Sequence, residues 1–311
     1  KRINVLIGHR MKEISDLLGN GEKYDVTINY IVQNEQKGTG HAVSLAEKHI
    51  DGAFFCLNGD TLIDEENLNL LSKQKGSMAM MITDVDEGEK FGAVKTKNGI
   101  LESIIEKGIK GPALINAGIY LFNEKIFQSL KSIEKSVRGE LELTDALKLN
   151  EIYTVNYQGF WKDVGSPWDL LTANEVCIDH IQNNIQGTVE ENVSIKGNIH
   201  VGENSIIKSG TYIEGPLWIG ENCVIGPNAY LRKGTVLCGE NKVGASSEIK
   251  NSILFKGAKA PHHNYVGDSI IGKNCNLGSG TKVANLRLDK EEIYVIHKGK
   301  RTNTSRRKLG V

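Results

Sequence analysis

The chain has 311 residues, enough for two domains, and its 38 basic residues balance 38 acidic ones. That balance argues against a general nucleic-acid or membrane surface; no apolar run reaches membrane-spanning length and no signal peptide is visible. The five cysteines (Cys56, Cys177, Cys223, Cys238, Cys275) lack C-x-x-C spacing, so they are expected to be buried thiols of a reducing cytoplasm and not a disulfide framework or zinc site.

The chain starts at Lys1, without a methionine, and runs almost at once into a strand-like segment, Asn4–Ile7. Further β-rich runs follow at Val26–Val32, Phe54–Asn58 and Met78–Val85, with a helical stretch over Ala42–Lys48. This alternation, through about residue 165, predicts an α/β domain with a central, largely parallel sheet. In such sheets ligands sit beyond the carboxyl ends of the strands. The run Phe54-Phe55-Cys56-Leu57-Asn58-Gly59-Asp60 ends there in a carboxylate, which can hold Mg²⁺ against a phosphate; a simple turn aspartate is the alternative. Gln33 ends another strand and precedes Lys37-Gly38-Thr39-Gly40-His41-Ala42, whose glycines would let backbone amides approach a base or phosphate.

These pieces continue in order with Phe91-Gly92-Ala93-Val94, Ile105-Glu106-Lys107, Asn116-Ala117-Gly118-Ile119-Tyr120 and Trp161-Lys162-Asp163-Val164-Gly165. The series resembles the sugar-phosphate nucleotidyltransferases from end to end, which implies a Rossmann-like α/β domain over residues 1–167. The resemblance makes Gln33, Gly38 and Thr39 base-recognition residues, and Asp60 and Asp163 a metal-binding pair. It makes Gly92, Glu106 and Asn116 sugar contacts and Lys107 a phosphate or sugar contact. The implied substrates are a nucleoside triphosphate and a sugar 1-phosphate. Both are anions, so Mg²⁺ and lysine charge must offset their repulsion and align the reacting atoms. One departure stands out. The Gly-x-Gly-Thr-Arg loop and the Pro-Lys motif of that family are absent, so the parent protein is expected to have nucleotidyl-transfer activity and the chain as written little or none. Both ends read as cut from a longer chain.

Ser166-Pro167-Trp168-Asp169 is a helix start, with an N-cap serine, proline next and aspartate at the third position. A helix to about His180 is expected within a linker at 168–187. Every sixth residue is then aliphatic: Val189, Ile195, Val201, Ile207, Ile213, Ile219, Ile225, Leu231, Leu237, Val243 and Ile249. A period of six fits neither helix nor hairpin sheet and predicts a parallel β-helix over 188–311, with three hexads per coil. Glycine at 202, 220, 226 and 244 is expected to relax the corners. After Phe255 the sixth positions would be Pro261 and Gly267; the pattern resumes at Ile271, Leu277 and Val283. A functional loop leaving the solenoid is therefore expected around Lys256–Asp268.

The repeats resemble the left-handed β-helix of the hexapeptide acyltransferases. Within it, Arg232, Lys250, Lys259-Ala260-Pro261-His262-His263-Asn264-Tyr265, Asn276, Ser279 and Asn285 resemble the acetyltransferase half of the bacterial and archaeal two-site enzymes that make UDP-N-acetylglucosamine. That resemblance implies acetyl-CoA as co-substrate and glucosamine 1-phosphate as acceptor. An attacking amine must lose a proton, and neutral histidine suits that near pH 7. His262 is the candidate general base and His263 its rival. Arg232 and Lys250 would hold the sugar phosphate, Tyr265 and Asn276 would orient the sugar, and Ser279 and Asn285 would meet coenzyme A. The basic runs at Lys298-Gly299-Lys300-Arg301 and Arg306-Arg307-Lys308 are either solvated loop or a phosphate clamp serving a neighbour in the homotrimer that the resemblance implies. Two other readings stay open: a single-activity nucleotidyltransferase with an assembly or regulatory β-helix, and a non-enzymatic scaffold subunit.

Overall fold

A computed structural model describes residues 1–310 except positions 75, 107, 108 and 158. The chain divides into two units, Lys1–Trp161 and Lys162–Val311. The first contains β1 (Arg2–Ile7), α1 (Met11–Leu18), β2 (Thr27–Val32), α2 (Thr39–Ser44), β3 (Phe54–Leu57), β4 (Thr61–Leu62), α3 (Glu65–Ser72), β5 (Met78–Val85), β6 (Gly92–Lys97), β7 (Ile100–Glu106), β8 (Ala113–Phe122), α4 (Lys125–Ser132), α5 (Leu143–Lys148) and β9 (Ile152–Asn156). Strands β1 and β2 pair in parallel. Six others form a sheet in the order β3-β8-β5-β9-β7-β6. Its central strands are apolar on both sides because both faces are covered. Met78, Met80 and Ile82 join Tyr120 and Phe122 under α4 and α5, while Ala79, Met81, Ile119 and Leu121 pack with Leu71 of α3.

The expected largely parallel sheet is not what forms. Pairings β3–β8, β5–β8, β6–β7, β6–β8 and β7–β9 are antiparallel, and β5–β9 is parallel. The cause is β8, which runs against both β3 and β5, together with the β6–β7 hairpin. Asn98 and Gly99 close that hairpin at φ 52° and 74°. Two residues at positive φ make the turn whose twist matches a hairpin, and Asn-Gly is its usual sequence. The helix expected over Ala42–Lys48 instead spans Thr39–Ser44, entered from Gly38 at φ 105°, and a 3₁₀ turn follows at Glu47–His49.

The second unit opens with β10 (Lys162–Asp163) and α6 (Pro167–Ile178). The Ser166 N–H donates to the Asp169 carboxylate at 2.9 Å, fixing the helix start. Trp168 and Leu171 of α6 are buried with Ile253, Ile293 and Leu309. The hexads then build three parallel sheets of six, five and five strands. Successive coils are offset by 18 residues, as in Ile207↔Ile225↔Val243. From Val201 to Ile249, every sixth residue of the predicted series is fully buried. Each contributes about 1.5–3 kcal/mol of burial before chain entropy is subtracted.

Two expectations about the repeats are corrected. First, no loop leaves the solenoid at Lys256–Asp268. The register drops one residue instead, because Leu237 pairs with Leu254 and Ile249 with Val266, offsets of 17. Ala260 and Val266 therefore take the inward positions, both fully buried. The missing residue comes out of the turns, where Asn251 (φ 43°) and Asp268 (φ 51°) adopt the left-handed conformation that short polar side chains tolerate. Second, most of the marked glycines serve coil spacing and not corner relaxation. A Cβ on Gly202 would lie 2.7 Å from the Glu221 nitrogen, one on Gly220 2.9 Å from the Cys238 carbonyl carbon, and one on Gly244 inside the Pro261 backbone. Of the four, Gly226 is the one with positive φ, at 87°.

The cysteines are not uniformly buried: Cys177, Cys238 and Cys275 are exposed, Cys56 is half-buried and Cys223 is buried. Cys177 lies in α6, and Cys238 and Cys275 lie outside the strands, so none needs to face the core. Burial pushes the Cys56 thiol up to about 11 and raises that of Cys223. Since the thiolate is the reactive form, Cys177 and Cys275 are expected to alkylate first at pH 8, with Cys56 and Cys223 slow until the chain unfolds. A mass-spectrometric map in which Cys56 labels as fast as Cys177 would contradict this. Among the described residues, no helix is long and apolar enough to cross a membrane.

Candidate functional site

In the first unit the base-recognition candidates gather where residues 33–41 meet 141–143. The Gln33 side-chain nitrogen lies 2.9 Å from His41 Nδ1 and 3.5 Å from the Gly38 carbonyl. The Gly40 N–H donates to the Leu141 carbonyl at 2.7 Å, and the Leu143 N–H donates to the Thr39 hydroxyl at 3.0 Å. A Cβ on Gly38 would lie 2.5 Å from the Leu141 carbonyl oxygen, so this loop is held close to the 141–143 segment and depends on glycine.

The sugar candidates meet at one sheet corner. Gly92 pairs with Glu106, and Ala93 pairs with Ile115, the neighbour of Asn116. Asn116 donates to the Tyr120 hydroxyl at 2.7 Å and accepts the Gly118 N–H at 3.0 Å, so its amide is already oriented. Gly118 (φ 73°) sits against the Asn58 side chain, in the turn that leads to the exposed Asp60. Phe91 and Trp161 meet edge to face at 5.3 Å, and the Trp161 ring N–H donates to the Ala117 carbonyl at 2.9 Å. Lys107 lies outside the described residues. Asp163 belongs to the second unit, in β10. Among the described residues, no group of three or more His, Cys, Asp or Glu side chains assembles to hold a metal.

The acetyltransferase candidates in the second unit occupy neighbouring coils. Lys259 pairs with Asn276, and Tyr265 with Lys282, both at an offset of 17. The same offset stacks Ser279 on His262 and Asn285 on Asp268. His262 is exposed; its N–H donates to the Asn264 side chain at 3.0 Å and its carbonyl accepts the Gly280 N–H at 3.0 Å. The neighbouring His263 sits in a left-handed turn at φ 50°, and the Lys282 ammonium donates to its carbonyl.

Around Tyr265 the side chains interlock. The Asn285 amide donates to Asp268 Oδ2 at 2.6 Å and lies 3.3 Å from the Tyr265 hydroxyl. Lys250 donates to Asp268 Oδ2 at 3.0 Å. Lys250, Tyr265 and Asn285 are thus brought together, with Asp268 between them. The Gly267 Cα faces this group: a Cβ there would lie 2.5 Å from the Asn285 side-chain nitrogen and 2.7 Å from the Tyr265 hydroxyl.

Sequence reasoning missed the acidic partners. Arg232 pairs with Glu248 at 2.9 Å and reaches Glu214 at 4.0 Å, and the Tyr230 hydroxyl donates to Glu214 at 2.7 Å. The hydrogen bond that Arg232 donates to Glu248 raises the Arg232 pKa above its ordinary value. The expected cationic pair is therefore a charge-paired set in the isolated chain. For Glu214 the signal was available, since it stands 18 residues before Arg232, one coil away.

Comparison with known proteins agrees with both halves. The nucleotidyl transferase family matches residues 1–180, and the family described as the GMPPB C-terminal domain matches residues 213–299. A bifunctional protein GlmU from Methanococcus maripaludis is 42% identical over all of this chain and 75% of its own length. A bifunctional sugar-1-phosphate nucleotidylyltransferase/acetyltransferase from Sulfurisphaera tokodaii is 42% identical over 99% of this chain and 77% of its own length. A crystal structure from Bacillus anthracis, described as a glucose-1-phosphate thymidylyltransferase, superposes with a TM-score of 0.52 at 27% identity, over 58% of this chain and 78% of that one. With this similarity along its whole length, the chain belongs to the nucleotidyl transferase family and, within it, to the bifunctional proteins that pair a sugar-1-phosphate nucleotidylyltransferase with an acetyltransferase.

Proposed function

We propose that the chain serves UDP-N-acetylglucosamine synthesis. Its β-helix transfers acetyl from acetyl-CoA to glucosamine 1-phosphate. Its α/β half transfers UMP from UTP to N-acetylglucosamine 1-phosphate with release of pyrophosphate. The observation that carries the first activity is the Lys250–Asp268–Asn285–Tyr265 cluster on coils that also carry His262 and Ser279. In acetyl transfer the sugar amine attacks the thioester carbonyl, a C–N bond forms, the C–S bond breaks and coenzyme A leaves as the thiol. His262 accepts the amine proton, being exposed and free of side-chain partners among the described residues. Arg232 and Lys250 bind the phosphate in exchange for part of their present carboxylate pairing, Tyr265 and Asn276 orient the sugar, and Ser279 and Asn285 face coenzyme A. A homotrimer in the cytoplasm is the expected setting, with the basic 298–308 segment close to the phosphates of a bound substrate.

For nucleotidyl transfer, Gln33, Gly38 and Thr39 recognise the base, Gly92, Glu106 and Asn116 the sugar, and Lys107 a phosphate. Mg²⁺ suits the donor set, because it takes one or two carboxylates and leaves its other positions to phosphate and water. Asp60 and Asp163 would hold it, and when bound it offsets phosphate charge. The single-activity and scaffold readings are disfavoured by the full-length similarity to relatives named as bifunctional. Two assays on the full-length protein test the proposal: thiol release from acetyl-CoA with glucosamine 1-phosphate, and pyrophosphate release across a panel of nucleotides and sugar phosphates. Asp60→Asn is expected to slow pyrophosphate release by about 100-fold or more, in the range of losing electrostatic stabilisation of a transition state. An unchanged rate would remove Asp60 from the metal role.

A further inference from the structure

Asp268 is a charged side chain in a place where charge is costly. Its carboxylate is 3% exposed. It accepts from Lys250 at 3.0 Å, from the Asn251 amide at 2.9 Å and from the Asn285 amide at 2.6 Å. A buried carboxylate persists when its lone pairs are filled and its charge is paired, and here three donors on neighbouring coils do both. The network continues toward α6. The second Asn251 amide hydrogen goes to Glu175 Oε1 at 2.7 Å, and Glu175 accepts from Arg306 at 2.6 Å. Arg306 in turn donates to the Thr172 hydroxyl of α6 at 2.7 Å. The line runs from the Arg306 cation through Glu175, the neutral Asn251 amide and Asp268 to the Lys250 cation, with the amide donating to both carboxylates. A lysine ends it, held to the two oxygens of the Asp268 carboxylate at 3.0 and 3.4 Å.

We propose that Asp268 is the positioning residue of the acetyl-transfer site. It fixes the Lys250 ammonium and the Asn285 amide in the arrangement that receives the sugar phosphate and coenzyme A, with Asn251 and Glu175 bracing it from α6. The inference rests on the acetyltransferase reading above. Asp268 touches no substrate; it acts through Lys250 and Asn285. The carboxylate holds the ammonium from behind through both of its oxygens, and the donor capacity facing away from it is left for phosphate. Exchanging that carboxylate for an amide keeps its size but removes the charge and turns a donor toward donors.

The test is a double-mutant cycle on the full chain, followed by thiol release from acetyl-CoA with glucosamine 1-phosphate. Asp268→Asn is expected to raise KM for glucosamine 1-phosphate about tenfold in the parent background and at most about twofold in a Lys250→Met background, since coupled residues are non-additive. Equal factors in both backgrounds, or a lower melting temperature with unchanged KM, would overturn the proposal. Should Asp268→Asn fail to fold, or the double variant be too slow to read, Asn251→Gly decides. Glycine accepts the positive φ at that turn while deleting the amide. It is expected to raise the same KM about threefold, and a folded Asn251→Gly protein with unchanged KM would sink the idea. No thiol release by the parent chain would instead overturn the acetyltransferase reading, and this inference with it. Parent activity with an additive cycle would overturn the positioning role alone.

Discussion

His262→Ala is expected to lower kcat for acetyl transfer by about 10²–10⁴-fold, the usual worth of a positioned general base, with little change in melting temperature. The second half follows from geometry. His262 is exposed, and its backbone holds the turn through the Asn264 side chain and the Gly280 N–H, bonds that alanine keeps. His263→Ala is the matched control. It lies one residue along in a left-handed turn, and its structural bond also runs through the backbone. Both keep these backbone bonds, and His263→Ala adds only the strain of alanine at positive φ, so a larger rate loss in His262→Ala reflects the imidazole and not the fold. A His262→Ala protein at the parental rate, or a larger loss in His263→Ala, would reassign the base.

Gly267→Ala is expected to separate activity from stability. The added methyl would meet the Asn285 side-chain nitrogen and the Tyr265 hydroxyl, the far ends of two side chains and not backbone. Both can shift, and because Asn285 is also a donor to the buried Asp268 carboxylate the cost to folding is expected toward the upper end of the roughly 1–3 kcal/mol typical of overpacking. The site cannot absorb the same movement. Tyr265 and Asn285 meet at 3.3 Å across Gly267, and a misplacement of about 1 Å in a positioned group can cost about 10²-fold in rate. Acetyl transfer should fall by about 10–100-fold while the protein stays folded and melts only several degrees lower. Gly244→Ala is the contrast, because its methyl would strike the backbone of Pro261. Parental kinetics in a folded Gly267→Ala protein would show that Tyr265 and Asn285 need not sit together.

The two halves were not equally legible in the sequence. The inward residues from Val201 to Ile249 could be read directly, because a side chain that returns every sixth position can point inward only in a three-sided coil. The direction of the α/β strands could not, because alternation of apolar and polar segments does not say which way β8 runs between β3 and β5. The Asn98-Gly99 hairpin could have been read from two letters. In the candidate acetyl site, Lys250, Tyr265 and Asn285 were legible through family spacing. Asp268 was not, because its burial depends on a turn one residue shorter than its neighbours. Glu214 and Glu248 escaped because an acid on an outward position looks solvated until the stacking that brings it beside Arg232 is known.

That shortened turn bears on how such a solenoid tolerates insertions and deletions. A strand that loses one residue turns its outward side chains inward, and the stack fails. A corner that loses one keeps every strand in phase and changes only which residue stands beneath which. Without the deletion, Asp268 would stand directly under Lys250 on the sheet face. With it, Gly267 takes that place and Asp268 moves into the turn beneath Asn251. The buried carboxylate, and the glycine against which Tyr265 and Asn285 pack, thus come from an absent residue. No substitution within an 18-residue coil would make the same arrangement.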